Sequence, residues 1–596
     1  MAESPMVNSS AIVRLSIFTN GTQVSDAINI ASVSVTNAIN KIPYARIELL
    51  DGDMPNKDFP ISNSDDFKPG KEIKINAGYG DSEDTIFQGI VVKHGIKIAG
   101  DNNSSLVIEC RDKAVAMTIG RQNANYVDKK DSEIISGLIS KYSDLSSDID
   151  ETTTQYKELV QYYCSDWDFM LSRAEVNGLL VCVEDAKLSV KAPQVTGSAE
   201  LKLTYGDDLI ELHADIDART QLAEVNTASW DPSEQKVVVE QVGPQTLNKQ
   251  GDLTAKDLSS VVGLKSFRLQ TPGVIEKTAL KDWAAGQQLK AGLARIRGRM
   301  KFQGSARAKA GSLIMLEGVG DRFNGDVFVS SVNHQISPGK WFCEVDFGMS
   351  PDWFAEQRDL AAPPASGFLP GIEGLHIGVV MKLDEDPDGQ SRVQVSVPVL
   401  QAQTEGVWAR LANFYASNSF GAFFIPEIGD EVILGYLNND PSNPVVLGSL
   451  YSSKQVPPYD LTADNYTKAV VTKSQLKIEF DDEKKITTII TPGGNRVVLS
   501  DDEKSILLQD QNSNKLELSP DGIVLDSPKD IKISAKGKIS IDAIGEMAIS
   551  SKADVKVEGL NVNHTANVGF TAKGNATAEL SASGQTTVKG AMVMIN

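Results

Sequence analysis

The sequence predicts a mainly β protein, and three observations predict it. Hydrophobic residues return every eight positions through roughly the last seventy residues, alternating apolar and polar runs broken by turn pairs fill about the first 350, and five or six short strands crowd into about eighty residues between them.

The octads carry the most information. Ile531, Ile539, Met547 and Val555 form one column, and Ile533, Ile541, Ile549 and Val557 form a second, two residues further along each strand. After a one-residue slip the columns resume as Val562, Phe570, Ala578, Thr586 and Met594, and as His564, Ala572, Leu580 and Val588. A short fixed period of this kind predicts a β-helix or solenoid, in which each repeat buries its face only by stacking on its neighbours. Eight residues at about 3.3 Å each cover roughly 26 Å, enough for one strand and a bend but not for a closed coil. Closure needs either three octads of one chain per turn or three chains with one face each, and the period does not choose between them. The competing reading is a disordered Ser/Ala/Gly tail, but such tails lack β-branched residues in register.

At 596 residues the chain has room for three or four domains with real cores. Its net charge of −21 argues against a nucleic-acid-binding surface. No run of eighteen apolar residues exists, and the polar start, Met1 to Ser10, has neither a basic nor an apolar leader region; the expectation is a chain made soluble in the cytosol without an export signal. The four cysteines (Cys110, Cys164, Cys182, Cys343) are scattered without a CxxC pair and read as reduced, buried residues.

From Ala11 to about Gly348 the pattern is mostly strand, as in Ala11 to Phe18, Ala45 to Leu50, Ile86 to Ile98 and Ser105 to Glu109, with turns at Asn20-Gly21 and Asp51-Gly52. Barrels or sandwiches are expected. A helix interrupts them at Asp166 to Asn177, with Ser165 as its cap, Gly178 as its stop, and Trp167, Met170, Leu171 and Ala174 as its apolar stripe. A second helix is expected over Lys281 to Arg297, where Arg295, Arg297, Arg299 and Lys301 form a basic cluster that reads as a solvated helix face before it reads as a grip for an acidic partner. Pro351 to Gly374, with Ala361-Ala362-Pro363-Pro364, marks a linker. Beyond it His376 to Leu383, Arg392 to Pro398, Gly406 to Leu411, Ala422 to Pro426, Glu431 to Tyr436 and Val445 to Leu450 are short strands that fit a small closed barrel of the OB type. Between Pro457 and Pro528 a hairpin-like neck runs through Leu476 to Phe480, Lys485 to Thr491, Arg496 to Leu499, Ser505 to Gln509, Lys515 to Leu518 and Ile523 to Leu525.

No local pattern makes an enzyme. Asp384, Asp386, Asp388 and Gly389 mimic the start of an EF-hand loop, but Val395 stands where the bidentate Glu belongs, so a hairpin turn is expected. Gly78-Tyr79-Gly80 and Gly493-Gly494 lack the strand, GxxxxGK and helix of a phosphate loop and read as turns. The five histidines (His94, His213, His334, His376, His564) form no HExxH or HxH pair. His94, His334 and His376 read as surface or hydrogen-bonded strand residues. Among 79 carboxylates no acid–base pair stands out.

The stretch Phe424-Ile425-Pro426-Glu427-Ile428-Gly429-Asp430-Glu431-Val432, followed by Leu437-Asn438-Asn439-Asp440-Pro441-Ser442-Asn443-Pro444-Val445-Val446-Leu447-Gly448-Ser449-Leu450-Tyr451, closely resembles the OB-domain signature of the VgrG family, the spike proteins of type VI secretion and related contractile injection particles. Asp166-Trp167-Asp168-Phe169, Phe87-Gln88-Gly89-Ile90-Val91 and Gly325-Asp326-Val327-Phe328-Val329 resemble its tail-hub part, and the terminal octads its triple-stranded β-helix. The resemblance implies a tail-hub domain of β-barrels with short helices at 1–365, an OB-fold domain at 366–458, a β-hairpin neck at 459–528 and an octad-repeat needle at 529–596. It selects three chains over one, with the needle formed as a homotrimer.

The same resemblance implies a structural hub and membrane-puncturing spike. Its partners would be an Hcp-like inner-tube protein, baseplate proteins, a PAAR-type tip protein, a possible effector cargo and, transiently, a target membrane. No cofactor, catalytic residue or nucleic acid is expected, and delivery is out of the producing cell or into a target cell. The tip protein is expected on Met592, Val593, Met594, Ile595 and Asn596. His564 sits in the column that periodicity turns inward, where three copies would meet across the axis and hold an ion or a water cluster; it is the one weak candidate for a metal. Two other classes stay open: a fibrous adhesin or receptor-binding tail protein, and a cell-wall hydrolase hub. A lysozyme domain is not expected between Tyr451 and the first neck strand, and because the residues up to Asn596 keep the octad register, no effector domain is expected after the needle.

Overall fold

The structure, a computed structural model, describes residues 2–6, 12–100, 103–357, 360–400 and 406–595. Ala11, with which the first predicted strand begins, and Asn596 lie outside the described residues. The chain divides into two compact units, Met1–Leu450 and Tyr451–Asn596.

In the first unit a thirteen-stranded sheet supplies two cores. Strands Val13–Thr19, Ile30–Ala38, Tyr44–Leu50, Glu72–Tyr79, Ser82–Ile98 and Ser104–Arg111 alternate inward Val, Ile and Leu with outward polar residues, which places Val33, Val35, Ile47, Ile73, Ile75 and Ile108 in one core. The second core gathers Met300, Phe302, Ile314, Val327, Val332 and Phe347 from strands between Leu201 and Phe347. Gly325–Ser337 pairs with Ile30–Ala38 in the register Val332↔Asn37 and joins the two sets. The predicted Asn20-Gly21 turn has both residues at positive φ, 45° and 81°, as a two-residue hairpin requires. Asp51-Gly52 is a different device: the Asp51 carboxylate accepts from the N–H groups of Gly52, Ile61 and Ser62 and pins a loop.

Four α-helices lie among the described residues: α1 (Asp131–Ser140), α2 (Asp166–Val176), α3 (Ala255–Val262) and α4 (Lys277–Leu293). The predicted cap of α2 is present, since Ser165 Oγ accepts from Asp168 N at 3.0 Å, and Gly178 follows at φ 67°. Trp167, Met170, Leu171 and Ala174 are buried as the stripe requires. The four residues Asp166 to Phe169 divide their work. Asp166, almost fully buried, accepts from Lys141, Tyr142 and Gln161, while Asp168 binds the Ser165 hydroxyl. Packing of α2 against α4 is close enough that a Cβ on Gly286 would meet the Glu175 carbonyl at 2.7 Å.

Several sequence expectations change here. The second helix ends at Leu293, not Arg297, and Ile296–Gln303 is a strand. Arg297, Arg299 and Lys301 therefore alternate along a sheet and do not line a helix face; Arg299 pairs with Asp346 at 2.8 Å. Arg295 is buried and donates to the carbonyls of Gln250 and Leu253, closing a loop. Helices α1 and α3 were not anticipated. All four cysteines are free, but only Cys110 and Cys343 are buried, Cys164 and Cys182 being half-buried.

The barrel closes in the order His376–Lys382, Val393–Ser396, Val407–Leu411, Pro444–Ser449, Glu431–Tyr436. Val380, Val393, Val395, Ala409, Val432, Leu434 and Val446 fill it. Ala422 to Pro426, expected as a strand, is irregular and takes no place in the barrel, which closes on five strands; Pro426 has no N–H to give a ladder.

The second unit begins with a seven-stranded antiparallel meander, Thr467–Val471, Lys477–Asp481, Ile486–Ile490, Arg496–Ser500, Ser505–Gln509, Lys515–Ser519 and Gly522–Asp526, each strand pairing with the next. Residues 527–595 follow without one strand paired within the chain.

Candidate functional site

The unusual surface of this protein is the octad segment. Bends fall at 536–537, 544–545, 552–553, 560, 567–568, 575–576, 583–584 and 591–592. The seven intervals from 536 to 591 span 55 residues, one short of seven octads, and the short interval, 560 to 567, is where the columns slip. Extended stretches between bends keep residues i and i+2 on one side, so both columns share a face. That face is bare. Ile531, Ile539, Met547, Val555 and Val562 are 45–58% exposed, and Ile533, Ile541, Ile549 and Val557 are 65–79% exposed. Backbone without a ladder partner and exposed columns of Ile, Val and Met together make a surface suited to pairing with another chain.

His564 is exposed in the single chain, and its ring lies 6.2 Å from that of Phe570. No group of three or more His, Cys, Asp or Glu fit to hold a metal occurs among the described residues. Met592, Val593, Met594 and Ile595 are 80%, 50%, 80% and 92% exposed, and Asn596 lies outside the described residues.

The barrel signature has a local physical reason. Asp430 Oδ2 accepts from Glu427 N at 2.8 Å, and Gly429, at φ 89°, donates to the Val380 carbonyl, so Pro426 to Asp430 is a capped turn that delivers the chain into Glu431–Tyr436. At the other end Asn438 and Asn439 take φ 50° and 57°, and Asp440 accepts from Ser442 N and Asn443 Nδ2 before Pro444–Ser449 returns.

The remaining polar candidates are occupied by structural duties. Asp386 is clamped by Arg392 and accepts from Gln390 N, which fills the EF-hand-like turn with a guanidinium and holds the Asp386 carboxyl far below its usual range. His94 bonds Ser62 and the Phe67 carbonyl, and His376 the Glu373 carbonyl. His334 Nδ1 lies 3.2 Å from Cys343 Sγ in full burial, which pushes the imidazole down to about 4 and the thiol up to about 12. A neutral, sealed pair of this kind is no nucleophile. One feature escaped the sequence reading: five of the eleven residues 414–424 are aromatic, against 6% overall, and that density was the available signal.

Comparison with known proteins gives the following. Residues 9–338 match the Alg8 N-terminal domain family, and residues 376–451 match the type VI secretion system/phage-baseplate injector OB domain. Similarity to the actin cross-linking toxin VgrG1 of Vibrio cholerae is 29% identity over 163 residues, 25% of this chain and 14% of that protein. The type VI secretion system spike protein VgrG1a of Pseudomonas aeruginosa is 36% identical over 62 residues, 10% of each. The chain thus spans a small fraction of the length of these relatives. Among solved structures, the 43 kDa tail protein of prophage MuSo2 from Shewanella oneidensis superposes over 57% of this chain and 99% of its own with a TM-score of 0.42 at 10% identity. No helix among the described residues is long and apolar enough to cross a membrane.

Proposed function

Because this chain belongs to the family of the Alg8 N-terminal domain and carries the type VI secretion system/phage-baseplate injector OB domain of VgrG-like spikes, we propose that it is the structural hub and spike of a contractile injection system. The observation that carries the reading is the octad face, two columns of half- to mostly exposed Ile and Val with no strand partner in their own chain. Three copies, each giving one face, would bury both columns on the axis and pair every backbone edge, and closure of that kind leaves a stiff shaft without free edges. In this reading residues 1–365 dock as the hub on an Hcp-like inner tube and baseplate proteins. Residues 366–458 form the OB-fold domain and 459–528 the neck. Residues 529–596 form the needle, which passes thrust to a target membrane.

The apolar end, Met592 to Ile595 with Asn596, takes a PAAR-type tip, and cargo travels with it. The role is mechanical, not enzymatic: the relatives it resembles are named as spike proteins, and the one named as a toxin is matched over 14% of its length. The protein is made in the cytoplasm and leaves the cell in the particle. Two measurements on the purified full-length chain test this. Its native mass is expected near three times 64.3 kDa, and deleting Val593 to Asn596 is expected to abolish capture of a PAAR-type tip while that mass persists. A single-chain mass, or tip capture by the deletion, refutes the corresponding part.

A further inference from the structure

The barrel carries a second bare surface, far from the octads in sequence. After Leu411 the chain leaves the barrel and makes a small hairpin in which Ala416–Ser417 pairs with Phe420–Gly421. Phe414, Tyr415, Phe420, Phe423 and Phe424 are 88%, 55%, 61%, 87% and 62% exposed. At roughly 200 Å² for each ring-bearing side chain, these exposures leave on the order of 700 Å² of largely apolar surface. Summed over the five side chains, that approaches the roughly 800 Å² that each partner gives to a stable protein interface.

The patch is built and not merely loose. Ala422 N donates to the Tyr415 carbonyl at 2.9 Å, and the Tyr415 and Phe420 rings lie 6.0 Å apart. Gly421, at φ 145°, is required, since a Cβ there would meet the Tyr415 carbonyl at 2.7 Å. A shape held without a partner lowers the ordering cost of binding one.

We infer that this aromatic hairpin, residues 414–424, seats on a second copy of the same chain. Its area is that of one side of a protein interface. Its charge gives an anionic lipid surface little to hold, since Arg410 is the single Lys or Arg among residues 393–453. The proposed octad assembly brings copies of the chain together, so a barrel contact between them becomes intramolecular once the needle has formed, at an effective concentration up to the millimolar range. The inference rests on that assembly.

The test uses full-length Phe423→Cys, a change at an 87% exposed position that leaves the barrel core untouched. Native labelling by a maleimide is followed by mass spectrometry of the site and compared with Asp81→Cys, where the native side chain is fully exposed. Cys at 423 is expected to label at least tenfold more slowly than Cys at 81, and to lose that protection in an Ile541→Asp background that has the mass of one chain. Equal rates in a preparation of trimer mass overturn the inference and leave the octad assembly standing. Protection that persists in the single-chain background also overturns it, because the cover is then the chain itself. Fast labelling that slows only when phosphatidylcholine vesicles are added assigns the hairpin to a membrane and overturns it likewise. A single-chain mass for Phe423→Cys and the unsubstituted protein alike overturns the assembly and the inference together.

Discussion

Replacing Ile541 and Ile544 by alanine, one at a time, separates a packed octad column from a generally sticky segment. The two residues are three positions apart and chemically identical. Ile541 lies in the second column and is 73% exposed in the single chain, whereas Ile544 sits at a bend and is fully exposed. Ile541→Ala removes three side-chain carbons, worth about 0.8 kcal/mol each when buried. Scaled by the 73% that assembly would newly cover, the loss is about 2 kcal/mol per copy and about 5 kcal/mol for three copies. At about 1.4 kcal/mol per factor of ten, the dissociation constant of the assembly should rise several-thousand-fold. Sedimentation equilibrium across a dilution series, in mild denaturant to bring dissociation into range, reads this directly. Ile544→Ala should leave the curve where it is. Equal effects from the two substitutions, or none from either, would refute the placement of the columns on a shared buried face.

Three further outcomes concern the hub. Arg173→Met leaves the fully buried Asp131 without the guanidinium that donates to it at 2.7 and 2.9 Å, and should cost about 3–5 kcal/mol in urea unfolding, most of it recovered when Asp131→Asn is added. His334 has a folded pKa near 4 against its usual 6.5, so the unfolded chain binds the extra proton between those values. Its contribution is complete above pH 6.5 and is lost as pH falls toward 4, by about 3 kcal/mol at most, and His334→Asn should flatten the difference in unfolding midpoint between pH 7 and pH 4. Glu175→Ala strips Lys290 of its ion-pair partner and the Phe354 N–H of its acceptor, and limited proteolysis should then cut faster near Phe354.

What the sequence made legible were features whose signal is local. The barrel strand Glu431–Tyr436 and the neck strand Ser505–Gln509 are short apolar runs, Val432 to Leu434 and Ile506 to Leu508, set off by Gly429-Asp430 and by Asp501-Asp502 and Asp510, and both sit where expected. The cap, stripe and stop of α2 were equally readable, because Ser165 and Gly178 act within one turn of the helix. Where two signals competed, the stronger-looking one misled. The run Arg297-Gly298-Arg299-Met300-Lys301-Phe302 alternates with period two, the mark of a strand, but its basic density passed for the end of a helix. Helix α3 carries a capping box, Thr254 with Asp257, and a stop, Gly263, but at eight residues it has too few turns for an apolar period to mark it. The pairing of Val332 with Asn37 was beyond reach, since no local pattern encodes a contact nearly three hundred residues apart. Within the candidate site the octad period was legible, since the bends fall at the intervals of the columns, while the aromatic hairpin was not: clustering of rings says that a surface matters, and only the structure shows that they are exposed.

The one-residue deficit between the bends at 560 and 567 has a bearing on how such a segment can evolve. Removing a residue from an extended stretch would turn every later side chain to the opposite face, so a lineage carrying that change loses all downstream packing at once. A residue removed at a corner leaves the faces intact. Length in this segment is therefore quantised. It can grow or shrink by whole octads, and it tolerates single-residue edits only at the corners. An engineer who wished to extend it would splice in multiples of eight residues cut at a bend, where the graft meets its neighbours in phase.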